Sequence, residues 1–156
     1  MRLLSIDPGS ENTGWAYFMG DTLMESGAWN FKKYDSAIMK VGENIEKYII
    51  DHKIEKVVCE DVVSYARHGN ASIKLARITG IIFETCRRNK IYLDFLTPFE
   101  INSIMGICGR RSERKAEIKS IIEDFYGSEH VKKQDQADAI FLGLAYLNDI
   151  DEIQNA

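Results

Sequence analysis

The stretch LLSIDPGSENTGWAYFMGDTLMESGAW, residues 3–29, decides how the fold begins. Leu3–Ile6 is a short apolar run with no polar alternation, the pattern of a strand covered on both faces. Thr13–Met19 is rich in aromatic residues and reads as a second strand. Gly20-Asp21 makes a tight turn into Thr22–Trp29, its hairpin partner. Between the first two strands, Pro8-Gly9 turns the chain and leaves Asp7 at the rim of the sheet.

Further along the chain, Asp35 is placed to cap a helix with Ile38, Val41, Ile45, Tyr48 and Ile49 at helical spacing. Lys56–Val63 (KVVCEDVV) is apolar enough for a strand buried on both faces. A helix from Asn70 to Arg88 and a strand from Ile91 to Leu96 follow, and Thr97-Pro98 breaks that strand. Ser112 caps another helix, with Ile118, Ile121, Ile122 and Phe125 on its core face; the last helix runs from Gln134 to Asn148. The order β-β-β-α-β-α-β-α-α predicts an α/β fold: a mixed sheet with helices on both faces, the first strand central and the Lys56 strand beside it.

The chain has 156 residues, 45% apolar and with 2 Pro, which suits one domain over residues 1–156 and excludes a disordered chain. Cys59, Cys86 and Cys108 are too few for a disulfide scaffold and read as buried small hydrophobes. The longest apolar run, Ala139–Leu147, falls well short of the ~20 residues that span a bilayer. Asp7 interrupts the N-terminus before a secretory segment forms, so a soluble, cytoplasmic protein is expected. Net charge is −4, but Tyr65–Lys119 holds eleven Lys or Arg against five acids, a net +6 that leaves −10 for the rest. That basic middle is a candidate polyanion footprint.

Four carboxylates carry the chemistry. Glu60 interrupts Val57, Val58, Cys59, Val62 and Val63 near the end of a buried strand, where an unpaired carboxylate costs several kcal/mol. Asp7 ends the first strand. Asp135 and Asp138 share one face in the first turn of a helix whose continuation, AIFLGLAYL, is apolar all round, so that turn lies against the rim of the core. Four acids without matching buried bases suit a hard cation such as Mg²⁺ or Mn²⁺, and no Cys/His spacing suits zinc. Two such ions about 4 Å apart would clamp a phosphodiester, and their charge would cancel the formal −4.

Asp7-Pro8-Gly9-Ser10 with Thr13-Gly14, Glu60 closing an apolar strand, and Asp135-Gln136-Ala137-Asp138-Ala139 together resemble the RuvC-type Holliday junction resolvases of the ribonuclease H-like superfamily, from Leu3 to about Tyr146. The resemblance implies a five-stranded sheet of order 3-2-1-4-5 and a homodimer. It implies paired nicks in four-way DNA junctions, leaving 5′-phosphate and 3′-hydroxyl ends. It implies Asp7, Glu60, Asp135 and Asp138 as ligands of two Mg²⁺, with Mn²⁺ as substitute. One ion would activate water and the other would stabilise the leaving oxygen. Lys115 would stabilise charge on the phosphate. The compact length and acidic charge look more like a bacteriophage-encoded member than a cellular one. A partner translocase is left unassigned, with no extension after the last helix to dock one.

Two departures stand out. Glu100–Gly106 lacks the family's second base, and Val62-Val63-Ser64 occupies the place of its base-unstacking aromatic, with Tyr65 slightly later as a stacking platform. Both predict looser selectivity, extending to forks and flaps. Tyr65, Arg67 and His68 fall in a loop read as mobile and beside the site. With Lys74, Arg110, Arg111, Arg114 and Lys115 they are the candidate DNA contacts. The competing readings are a branched-DNA-binding protein that does not cut, for which four acids are a burden, and a ribonuclease H-like nuclease acting on RNA precursors. An actin-like ATPase needs two such cores, more than this length provides.

Overall fold

The computed structural model describes residues 1–9, 11–31, 37–61 and 69–155. The strands are β1 (Arg2–Asp7), β2 (Asn12–Met19), β3 (Thr22–Asn30), β4 (Lys56–Glu60) and β5 (Tyr92–Leu96). The helices are α1 (Ala37–His52), α2 (Gly69–Arg88), α3 (Pro98–Ile104), α4 (Arg111–Tyr126) and α5 (Gln134–Asn155), with a 3₁₀ turn at Ser128–Val131. The sheet order is β3-β2-β1-β4-β5. β1–β2–β3 is the expected antiparallel meander, with Met19 paired to Thr22 across Gly20-Asp21. β4 runs parallel to β1, and β5 parallel to β4.

Strand alternation divides the core. Leu4, Ile6, Val57, Cys59 and Tyr17 face Val41, Ile45 and Ile49 of α1 and Ile78 and Ile82 of α2. Leu3, Val58, Ala16 and Phe18 face α5, whose Ile140, Phe141, Leu142 and Ala145 are almost wholly buried, and Ile118 and Ile122 of α4 complete that layer. α5 lies unusually close to the sheet. Ser5 Oγ donates to the carbonyl of Ala139 at 2.7 Å. A Cβ at Gly14 would stand 1.8 Å from the Asp135 carbonyl oxygen, and one at Gly143 would stand 2.3 Å from Phe18 Cε2. Side-chain-free backbone at these two points is what lets the helix settle.

Several sequence expectations change. Thr97-Pro98 does end a strand, but it also starts α3. Thr97 and Glu100 form a reciprocal capping box and Pro98 fills the first turn. α4 begins one residue before Ser112; the cap position is Arg110, whose N–H donates to Glu113 Oε2 at 2.6 Å. Phe125 is not in the core but 73% exposed, because α4 buries only Ile118 and Ile122 before it ends at Gly127. Cys59 and Cys86 are buried as expected, whereas Cys108 is exposed in the turn between α3 and α4. α5 extends to Asn155, about two turns beyond Asn148. β4 ends at Glu60, and Asp35, Val62 and Val63 lie outside the described residues.

Candidate active site

The pleat points alternate residues the same way. Ser5 lies on the α5 face, so Asp7 does too; Val58 lies there, so Glu60 does too. The parallel register Ser5↔Val58, Ile6↔Cys59 then brings Asp7 and Glu60 side by side where both strands end. α5, seated at Gly14 directly across from Asp7, lays its opening turns over them. Asp135 is in the first turn; Asp138 is one turn further in, not in the first turn as the sequence suggested. All four carboxylates are half-buried.

Their mutual influence shows that they converge. Asp7 is held well above the usual carboxylate range, first by burial and then by the charges of Glu60, Asp138 and Asp135, against a smaller opposing pull from Lys115. Glu60 is pushed up to about 7 by burial and by Asp138. Burial also raises Asp138, while a hydrogen bond from Gln134 and the charges of Lys115 and Arg111 oppose it. Among the described residues none of the four is in a salt bridge. Nor do any three ligand-type side chains there already close on a common point. Asp138 Oδ1 accepts from Gln134 Nε2 at 2.6 Å. The donor set fits hard divalent cations: it is all oxygen, it is in excess over nearby bases, and its charge is opposed by burial.

Glu60 and Asp138 line a small cleft of about 60 Å³ with Pro98, Ile101 and Asn102 of α3, Ile118 of α4 and Phe141 of α5. The helix that sequence reasoning missed therefore forms one wall of the site and brings Asn102 to it. Thr97, Pro98 and Glu100 were the signal that could have revealed it. Lys115, half-buried on α4, reaches the cluster electrostatically, as does Arg111. Arg110 and Arg111 are exposed, and Arg114 Nη1 is tied to the carbonyl of Gly109 at 2.9 Å. Lys74 is exposed on α2. Tyr65, Arg67 and His68 lie outside the described residues.

A family model described as crossover junction endodeoxyribonuclease RuvC matches residues 3–146, a span that contains all four acids and Lys115. The chain belongs to the RuvC family. Nucleases of this family depend on a divalent metal ion. RuvC of Fusobacterium nucleatum is 26% identical over 96% of this chain and 82% of its own length. RuvC of Campylobacter curvus is 25% identical over 96% of this chain and 98% of its own. Among solved structures, Thermus thermophilus RuvC in complex with a Holliday junction substrate superposes with a TM-score of 0.82 at 13% identity, covering 97% of this chain and 96% of that one. The fowlpox virus Holliday junction resolvase gives 0.69 at 17% identity, covering 96% and 99%. These likenesses agree with the five-stranded RuvC fold and its strand order. Among the described residues, no helix is long and apolar enough to cross a membrane.

Proposed function

We propose that this RuvC-family chain is a metal-dependent endonuclease that resolves four-way DNA junctions by paired nicks, leaving 5′-phosphate and 3′-hydroxyl ends. It works in the cytoplasm as a homodimer of single-domain subunits, and its substrates extend to forks and flaps. The observation that carries the reading is the charge imbalance at the carboxyl ends of β1 and β4. Asp7, Glu60, Asp135 and Asp138 converge there with Lys115 and Arg111 as the nearby bases.

Those four acids are the residues that would hold two Mg²⁺, or Mn²⁺ in their place. The ions would supply Lewis-acid charge and lower the pKa of attacking water. Lys115, whose charge already acts on Asp7, would neutralise charge building on a bound phosphate. Asn102, whose Nδ2 donates to the Pro98 carbonyl, brings a neutral amide to the cleft wall from the Glu100–Gly106 stretch that lacks the family's second base. Exposed Arg110 and Arg111 start α4 beside the site and suit backbone phosphates, which orient DNA without reading sequence. Arg114, Lys74, Tyr65, Arg67 and His68 complete the proposed DNA contacts.

The test is cleavage of end-labelled four-way, forked and flapped DNA by the full chain, with Mg²⁺ or EDTA, beside Lys115→Ala. The expected result is paired nicks in Mg²⁺ alone, on all three substrates, with Lys115→Ala slower by about 10²–10³-fold. Cutting of four-way junctions alone would overturn the broad selectivity. Binding without cutting would favour the non-cleaving reading, and cutting of RNA alone the ribonuclease reading. Sedimentation of the free protein as a monomer would overturn the homodimer.

A further inference from the structure

Gln136, between Asp135 and Asp138 in sequence, reaches in another direction. Its Nε2 donates to Ser26 Oγ on the edge strand β3 at 2.9 Å. Ser26 Oγ lies 2.9 Å from His130 Nδ1, in the 3₁₀ turn that precedes α5. The His130 ring packs edge-on to Tyr126 at the end of α4, and its Nε2 stands 4.0 Å from Glu129 Oε1. Ser26, His130 and Gln136 are all half-buried. A hydroxyl that accepts from Gln136 keeps both a hydrogen and a lone pair, so it can bond His130 Nδ1 in either tautomer. Two hydrogen bonds thus link α5, the edge strand and the 3₁₀ turn through one hydroxyl.

Its place on α5 matters. Successive helix residues are about 100° apart, so Gln136 projects about 100° from Asp135 and about 160° from Asp138. A bond on that flank fixes the rotation of the helix about its own axis. The close seat at Gly14 fixes how near the helix comes. Together they determine where two acids borne on α5 stand relative to two borne on the sheet.

We propose that Ser26 is a positioning residue for the metal-binding carboxylates: by joining Gln136 to His130 it sets the rotation of the opening turns of α5, and with it the placement of Asp135 and Asp138 against Asp7 and Glu60. This rests on reading those four acids as metal ligands. Ser26, Gln136 and His130 themselves act through the acids and touch neither ion nor DNA.

The experiment is a direct Mn²⁺ titration of the full chain without DNA, following free Mn²⁺ by electron paramagnetic resonance. Ser26→Ala should weaken binding by about 10-fold, the effect of losing a support of ligating groups, and Ser26→Thr, which keeps the hydroxyl, should restore it. In cleavage assays Ser26→Ala should raise half-saturating Mg²⁺ by a similar factor while the rate at saturating Mg²⁺ stays within about 2-fold. Unchanged Mn²⁺ affinity in Ser26→Ala would overturn the proposal, as would failure of Ser26→Thr to restore it. Asp135→Asn is measured alongside: if it too binds Mn²⁺ as wild type does, the metal-ligand reading is what fails. Should Ser26→Ala not fold, Gln136→Met cuts the same chain from the helix side, with the same expected and overturning results.

Discussion

At its amino-terminal end α5 lays Asp135 and Asp138 beside Asp7 and Glu60. About three turns on, Tyr146 of the same helix meets the same face of the same sheet at Asp94 and Lys56. The second meeting is balanced. Lys56 Nζ stands 3.0 Å from Asp94 Oδ2, the Tyr146 hydroxyl donates to that carboxylate, and the ammonium lies 4.3 Å and 5.3 Å from the centroids of the Tyr92 and Tyr146 rings. Burial pulls Lys56 down, yet its bonds to Tyr146 and Asp94 leave it above its ordinary value. At the first meeting burial and like charges act in the same direction, and Glu60 is pushed up to about 7. The difference teaches how to sort half-buried carboxylates: one that has its own cation and donor belongs to the scaffold, and a group that shares too few waits for a ligand.

The comparison breaks most visibly through activity. Asp7→Asn or Glu60→Gln should cut single-turnover junction cleavage on the order of 10³-fold or more, while Asp94→Asn leaves it within about 2-fold. Equal losses at the two ends would erase the distinction. Gly14→Ala probes how the acids are brought together. A Cβ 1.8 Å from the Asp135 carbonyl must displace the first turn of α5, and cleavage is expected to fall about 10–100-fold. Gly143→Ala, whose Cβ meets the Phe18 ring instead, should lower the melting temperature more than the activity of the folded fraction.

Stability should respond in the opposite sense. Removing a partner at the balanced end, by Lys56→Met or Asp94→Asn, is expected to cost about 1–2 kcal/mol in urea unfolding, since both groups retain some solvent. Asp7→Asn should instead stabilise the metal-free protein, because it removes a charge the fold holds at a disadvantage. The sign follows from linkage. Asp7 and Glu60 have raised pKa values in the folded state, so their contribution is fully present below the unfolded values. It is lost as pH rises, for Glu60 through about 7. Metal-free stability should therefore decline between about pH 5 and 8, less steeply in Asp7→Asn. A cation binds the ionised form, so raising Mg²⁺ should move the acid limb of the cleavage rate to lower pH. The smallest effect belongs to neither end: Phe125→Ser, at an exposed position, should change stability by no more than about 0.5 kcal/mol.

The carboxylates were legible in the sequence because each breaks an apolar context or ends it: Glu60 after Val57-Val58-Cys59, Asp7 before Pro8-Gly9, and Asp135 and Asp138 ahead of a wholly apolar helix. The meander and the place of β4 beside β1 were legible as well, since short apolar runs and the Gly20-Asp21 turn survive in their tertiary setting. α3 was not, because proline is both a strand breaker and a good first-turn residue, and only the Thr97–Glu100 reciprocity separates the two. Phe125 has correct helical spacing from Ile118 and Ile122, but α4 turns that position out to solvent. The Ser26–His130–Gln136 chain joins three distant positions that share no spacing, so only the fold assembles it.

On the proposed reading, the acids at the ends of β1 and β4 form an excess of negative charge completed by a divalent cation. Thermal unfolding of wild type and Asp7→Asn, with EDTA or saturating Mn²⁺, tests it most directly. Wild type is expected to gain strongly from Mn²⁺, by about 2–3 kcal/mol near one hundred times the dissociation constant. Asp7→Asn should be the more stable protein in EDTA and should lose most of that gain. An equal Mn²⁺ response in the two proteins, or an Asp7→Asn protein less stable than wild type in EDTA, would contradict it.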